Sequence, residues 1–207
     1  MKVLLYGGTF DPPHVGHLNN LRAVMAAVRP DRVIVMPAGV PPHKAASSTP
    51  GELRLEMCRC FTELDPEKIE VSRWEIDRPG RSYTVDTLEM LHARWTEAEL
   101  YLAMGSDMLC SFTHWRSWQR ILQLATLAVQ SRETGDAAEL QAAAEALKPY
   151  GGRVVFAAAP AMPCASHDIR DGKYPQSELA VLLPESARQV IARAGLYFAS
   201  EETPEFV

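Results

Sequence analysis

VLLYGGTFDPPHVGH, from Val3 to His17, decides the reading of the fold. Apolar, strand-forming residues (Val3–Tyr6) run into a glycine pair, a proline-stiffened turn and two histidines. Val15, Leu18, Leu21, Val24, Met25 and Val28 then recur at helical spacing. Strand, tight turn and helix in that order open a β-then-α unit.

The same alternation continues along the chain. Val33–Pro37 reads as a second strand. Thr49, Pro50 and Glu52 predict a helix start, with a hydroxyl cap, a proline at the first position and a capping-box acid. Leu53, Met57, Cys60, Phe61 and Leu64 are the expected apolar face of that helix. Ile69–Ile76 is a third strand, and Tyr83–Trp95 a helix with Val85, Leu88, Leu91, His92 and Trp95 near one face. Leu100–Met104, Leu127–Gln130 and Val154–Ala158 complete the expected strands. Asp136–Lys148 is helical by propensity, and Pro184–Ala194 is a last helix stopped by Gly195. The pattern predicts an α/β fold: a doubly wound, mostly parallel sheet with helices on both faces. It is read as a single domain over 1–207, with a C-terminal helical segment at about 175–198 packed on it. Ligands of such sheets sit at the carboxyl ends of the strands, near a switch in strand order.

Composition narrows the function classes. The chain has 207 residues, 47% of them hydrophobic and 23% charged, enough for one well-buried core. A net charge of −5 speaks against a nucleic-acid partner, though not against a small anion. No apolar run approaches the ~20 residues that cross a bilayer, so no membrane partner is expected. The start, MKVLLYGG, is too short for a signal-peptide core, which points to the cytoplasm. Cys58, Cys60, Cys110 and Cys164 form no C-x-x-C pair and are expected as small buried hydrophobes in a reducing compartment. A homo-oligomer is left open.

The first turn carries the chemistry. Gly7 and Gly8 let backbone N–H groups approach an anion, and Thr9 adds a hydroxyl. His14 and His17 share one face of the first helical turn, where free N–H groups and the macrodipole attract phosphate. The string is neither a P-loop nor the dinucleotide fingerprint. A structural turn with surface histidines is one competing reading, and a metal pair another, for which no third ligand is evident.

Thr9 and the His14–Gly16–His17 trio resemble the signature of the nucleotidyltransferase superfamily, with its H-x-G-H motif and Rossmann-like fold. PAGVPPHK (Pro37–Lys44), GRSYTVDTL (Gly80–Leu88), GSDMLCSFTHW (Gly105–Trp115) and LLPESARQVIARAGLY (Leu182–Tyr197) resemble the nicotinate-mononucleotide adenylyltransferase family within it. One segment departs. Where that family carries a string like ISSTxIR, this chain has CASHDIR (Cys164–Arg170), which keeps Ser166, Ile169 and Arg170 and puts His167 in place of a threonine.

The resemblance implies transfer of the adenylyl group of ATP to nicotinate mononucleotide, giving deamido-NAD and pyrophosphate, a step of NAD biosynthesis. It implies that His14, His17, Arg170 and Lys44 are catalytic. Gly7, Gly8, Thr9, Phe10, Gly105, Asp107, Ser166 and Ile169 would join His14, His17 and Arg170 around ATP. Thr84, Trp115 and Arg116 would receive the mononucleotide, Trp115 by stacking on the pyridine ring. Mg²⁺ is expected on the ATP phosphates, with no protein side chain as ligand. A sister transferase using nicotinamide mononucleotide or another phosphorylated acceptor is the alternative. A non-catalytic nucleotide-binding regulatory module, suggested by CASHDIR, is a further one.

Overall fold

The computed structural model describes residues 1–40, 47, 49–130, 137–158, 160, 162 and 164–197. Strand β1 (Lys2–Gly8) is followed by helix α1 (Val15–Val28), strand β2 (Arg32–Pro37) and helix α2 (Gly51–Met57), which tightens into a 3₁₀ segment, Cys58–Leu64. Next come β3 (Ile69–Val71), the single turn α3 (Trp74–Asp77), α4 (Thr84–Arg94) and β4 (Glu99–Gly105). Then α5 (Ser106–Cys110), α6 (Trp118–Leu124), β5 (Ala125–Gln130), α7 (Ala137–Leu147) and β6 (Val154–Ala157) follow. The chain closes with α8 (Ser166–Arg170), α9 (Gln176–Leu182) and α10 (Glu185–Ala194).

The described strands form one six-stranded sheet in the order β3-β2-β1-β4-β5-β6, and every neighbouring pair is parallel. The order reverses direction between β1 and β4, which opens a crevice at their carboxyl ends. Parallel strands are covered on both faces, so they read as unbroken apolar runs; Ala125–Gln130 is buried throughout. One face packs Leu5, Ile34, Leu102 and Leu127 against Leu88 of α4, Leu109 of α5, Ile121 of α6 and Leu140 of α7. The other packs Leu4, Val33 and Val35 against Leu21 and Val24 of α1 and Phe61 of the 3₁₀ segment. A third cluster joins Met57 and Ile169 to Leu179, Leu183, Ala187, Val190 and Ile191. Thus α9 and α10 lie against α2 and α8. No helix among the described residues is long and apolar enough to cross a membrane.

Three expectations are corrected. The third strand ends at Val71 rather than Ile76, and the chain turns into α3. Its partner β2 ends at Pro37, which has no N–H to extend a ladder. The capping box at Thr49 is absent: α2 starts after Pro50, with no side-chain cap bond. Glu52 instead pairs with Arg73 at 2.7 Å, and the Thr49 N–H donates to Ser47 Oγ at 3.1 Å. Of the cysteines, only Cys58 and Cys60 are buried; Cys110 is exposed and Cys164 half-buried. The last residue of a short helix, Cys110 faces outward.

Leu88 is fully buried between α4 and the sheet. Leu88→Ala is expected to lower unfolding free energy by about 2–5 kcal/mol, through lost transfer energy and a residual cavity. Urea denaturation followed by circular dichroism measures it.

Candidate active site

The β1–α1 turn opens at the carboxyl end of β1, beside the end of β4. Phe10 holds a left-handed backbone, φ 51°, which a bulky residue adopts only when its surroundings enforce it. Here they do. Its ring is buried against Tyr6, Phe61 and His17, with centroids 5.1–5.4 Å away. Packing of one aromatic side chain therefore sets the course of the turn.

The two histidines are brought together. His14 caps α1 and is buried, His17 sits in its first turn, and their ring centroids are 3.8 Å apart. The His14 main-chain N–H donates to His17 Nδ1 at 3.2 Å. An Nδ1 that accepts leaves the proton of the neutral ring on Nε2, so His17 presents Nε2–H as a donor. Tyr6 Oη donates to the His17 carbonyl at 3.0 Å, anchoring the same turn. Gly16 is required because a Cβ there would lie 2.9 Å from the His14 ring.

Arg54 was not anticipated, and it organises the site. It projects from α2 and is only 3% exposed. Nη1 donates to the carbonyls of Thr9 at 3.0 Å and Ala38 at 2.7 Å. Nε donates to the Thr49 carbonyl at 3.3 Å, and Nη2 to the Gly39 carbonyl at 3.5 Å. Burial draws its pKa down, and the Asp11 carboxylate opposes that. The guanidinium stays charged, and it clamps the loop after β1 to the loop after β2. One signal could have found it: Arg54 stands three residues before Met57 and seven before Phe61, on the buried stripe of its helix.

Asp11 forms a second junction. Its carboxylate accepts from Tyr197 Oη at 2.7 Å and from Ser47 Oγ at 2.6 Å. Burial raises the Tyr197 phenol well above its ordinary pKa, so it remains a donor. Ser166 and Arg170, on α8, also meet this turn. Ser166 Oγ donates to the Pro12 carbonyl at 2.9 Å, and Arg170 Nη1 to the Asp11 carbonyl at 2.5 Å. Ile169 is fully buried in the C-terminal cluster beneath them.

A second group gathers around the start of α4. Thr84 is its first residue, and Tyr83 its cap. The Arg116 guanidinium lies 4.3 Å over the Tyr83 ring. Trp115 is half-buried against Phe112, with ring centroids 5.6 Å apart. Trp118 is also half-buried, edge-on to Tyr150. Gly105 ends β4 and caps α5, and Asp107 is exposed in the first turn of that helix. His167 is exposed and lies 3.1 Å from Asp168. Lys44 falls outside the described residues. No group of three or more His, Cys, Asp or Glu that could hold a metal occurs among the described residues.

Comparison with known proteins matches residues 5–172 to the cytidylyltransferase-like family. A probable nicotinate-nucleotide adenylyltransferase of Roseiflexus sp. (strain RS-1) is 40% identical over 194 residues, 93% of this chain and 96% of that protein. One of the same name from Acidithiobacillus ferrooxidans is 34% identical over 94% of this chain and 95% of its own length. Among solved structures, Plasmodium falciparum nicotinic acid mononucleotide adenylyltransferase complexed with NaAD superposes with a TM-score of 0.70, at 14% identity, covering 95% of this chain and 97% of that one. At that identity the likeness shows a shared fold.

Arg54→Lys tests the clamp. A lysine ammonium cannot span the carbonyls that the guanidinium fork reaches. Each buried carbonyl left without a donor costs about 1–3 kcal/mol. Chemical denaturation should show a loss of that size.

Proposed function

The chain belongs to the cytidylyltransferase-like family, and from that membership we propose that it transfers the adenylyl group of ATP to nicotinate mononucleotide, forming deamido-NAD and pyrophosphate. The observation that carries the reading is the paired imidazoles at the start of α1, at the switch point of the sheet. Similarity to proteins named for this activity, over 93% of the chain, supports it.

The chemistry asks little of a nucleophile. The attacking group is a phosphate oxygen, already ionised at neutral pH, and it displaces pyrophosphate in line at the α-phosphorus. The protein must hold two polyanions in register and meet the charge that develops between them. His17 presents Nε2–H to the α-phosphate, with His14 beside it. Gly7, Gly8, Thr9 and Phe10 shape the turn around the phosphates. Arg170 and Ser166 each commit one donor to the turn itself; the remaining guanidinium N–H groups of Arg170 serve the β/γ end. Gly105 and Asp107 meet the adenosine ribose, and Lys44 adds a cation. Mg²⁺ enters as part of the co-substrate, bound by triphosphate oxygens, as its taste for phosphate and water predicts.

The acceptor occupies the other half. Trp115 stacks on the pyridine ring, and the Thr84 and Arg116 segments donate to the nicotinate carboxylate. An amide in place of that carboxylate leaves donors without a charged partner. The four cysteines are free, which suits the reducing cytoplasm proposed for this activity.

Pyrophosphate release decides the reading. Purified protein with ATP and Mg²⁺ should turn over nicotinate mononucleotide at least tenfold better than nicotinamide mononucleotide, and EDTA should abolish turnover. No release with the nicotinate acceptor would overturn the reading, and a preference for the amide would reassign the acceptor. His17→Ala should lower kcat by about 10²-fold or more. Trp115→Ala should act chiefly on KM for the mononucleotide. Steady-state kinetics with each substrate varied separates these effects.

A further inference from the structure

Glu75 is a buried carboxylate that the roles above leave unused. It lies in α3 and is 8% exposed. Three donors from three segments converge on it. Thr87 Oγ1, from α4, donates to Oε1 at 2.5 Å. The Ser82 hydroxyl and the Gly39 main-chain N–H also face the carboxylate and favour its charged form. Gly39 and Ser82 are themselves joined, N–H to Oγ, at 3.2 Å, and the Ser82 N–H donates to the Val40 carbonyl at 2.8 Å. Gly39 must be glycine here, because a Cβ would run into the Glu75 carbonyl.

These bonds join what would otherwise be separate pieces. Gly39 is the second residue after β2. Ser82 leads into Tyr83 and Thr84, and Arg116 stacks on Tyr83. Only an acceptor of several hydrogen bonds can hold all three donors, and an ionised carboxylate has no donor of its own to obstruct them. Burial pushes the Glu75 pKa up, and the bonds from Thr87, Ser82 and Gly39, with the nearby Arg78 guanidinium, draw it back.

We propose that Glu75 is a positioning residue for the acceptor half of the site: its carboxylate fixes the loop leaving β2 against the Tyr83–Thr84 start of α4, and so sets the fit of the nicotinate mononucleotide. It touches no substrate and acts through Gly39, Ser82 and Thr87. The inference rests on the acceptor assignment made under the proposed function. It deepens that assignment by separating acceptor positioning from ATP positioning, which belongs to Arg54 and the β1–α1 turn.

Glu75→Gln preserves shape but replaces one acceptor oxygen with an NH₂ group. Thr87 can still donate to the amide oxygen, while an N–H faces the Gly39 N–H. KM for nicotinate mononucleotide should rise about tenfold, the size expected where a buried donor loses its acceptor. KM for ATP should stay within twofold and kcat within threefold. Thr87→Val, which removes one donor and keeps the carboxylate, should shift the same KM in the same direction by a smaller factor. It carries the test alone if Glu75→Gln does not fold. Both variants are compared with wild type by circular dichroism and by kinetics with each substrate varied. Wild type active with nicotinate mononucleotide, but variants with unchanged acceptor KM, or with both KM values raised equally, would overturn the positioning role alone. A wild type silent with that acceptor would overturn the acceptor assignment and, with it, this inference.

Discussion

A charged guanidinium with almost no access to water holds this site together. Arg54 reaches carbonyls of Thr9, Ala38, Gly39 and Thr49, from three stretches of chain lying just beyond the β1–β2 ladder. Carbonyls at the ends of parallel strands have nowhere else to go once the ladder stops, and a buried one without a donor is expensive. A flat fork with five N–H groups meets that need better than any other side chain. The arrangement makes the crevice at the switch point a rigid floor. The positive charge beneath it also suits polyanionic ligands, in a chain whose net charge is −5.

Around that floor, two junctions repeat the device with the sign reversed. Asp11 collects hydroxyls from Tyr197 and Ser47 under the β1–α1 turn. Glu75 collects Thr87, Ser82 and Gly39 beside the start of α4. The three buried charges are linked through short steps: Arg54 holds Gly39 by its carbonyl, and Glu75 holds the same residue by its N–H. The Ala38 N–H also donates to the Gly8 carbonyl at 2.8 Å, so the two loops share a direct bond as well. Each half of the crevice thus has its own fixed support, and the two supports meet at Ala38–Gly39.

Much of the fold was legible because its signals are local. The apolar runs of β1, β2, β4, β5 and β6 stand out by continuity, and α1, α4, α7 and α10 by period, with Gly195 ending α10 at φ 59° as expected. The turn from Gly7 to His17 was legible because its residues are contiguous. Short elements were less so: the start of β3 at Ile69 was read, but not its length. Strand β3 has three residues and α5 five, too few for a period to show. Arg54, Glu75 and the Asp11–Tyr197 pair were invisible for another reason. Their partners lie 5 to 186 residues away, so their roles exist only once the chain has folded. Arg54 gave a hint as a cation on an apolar stripe, whereas Glu75 falls inside the stretch that reads as the third strand, where nothing marks it.

The bond between Tyr197 and Asp11 spans 186 residues, nearly the whole chain. A ribosome makes Asp11 among the first residues and Tyr197 among the last described. At roughly 5–20 residues per second, the two are separated by about 10–40 s of synthesis. During that interval β1, α1 and β2 can pair and pack, but the Asp11 carboxylate lacks one of its two hydroxyl partners. The turn is completed only when Tyr197 arrives. The order of synthesis therefore places the last bond of this turn after the sheet and the helices that cover it have been made.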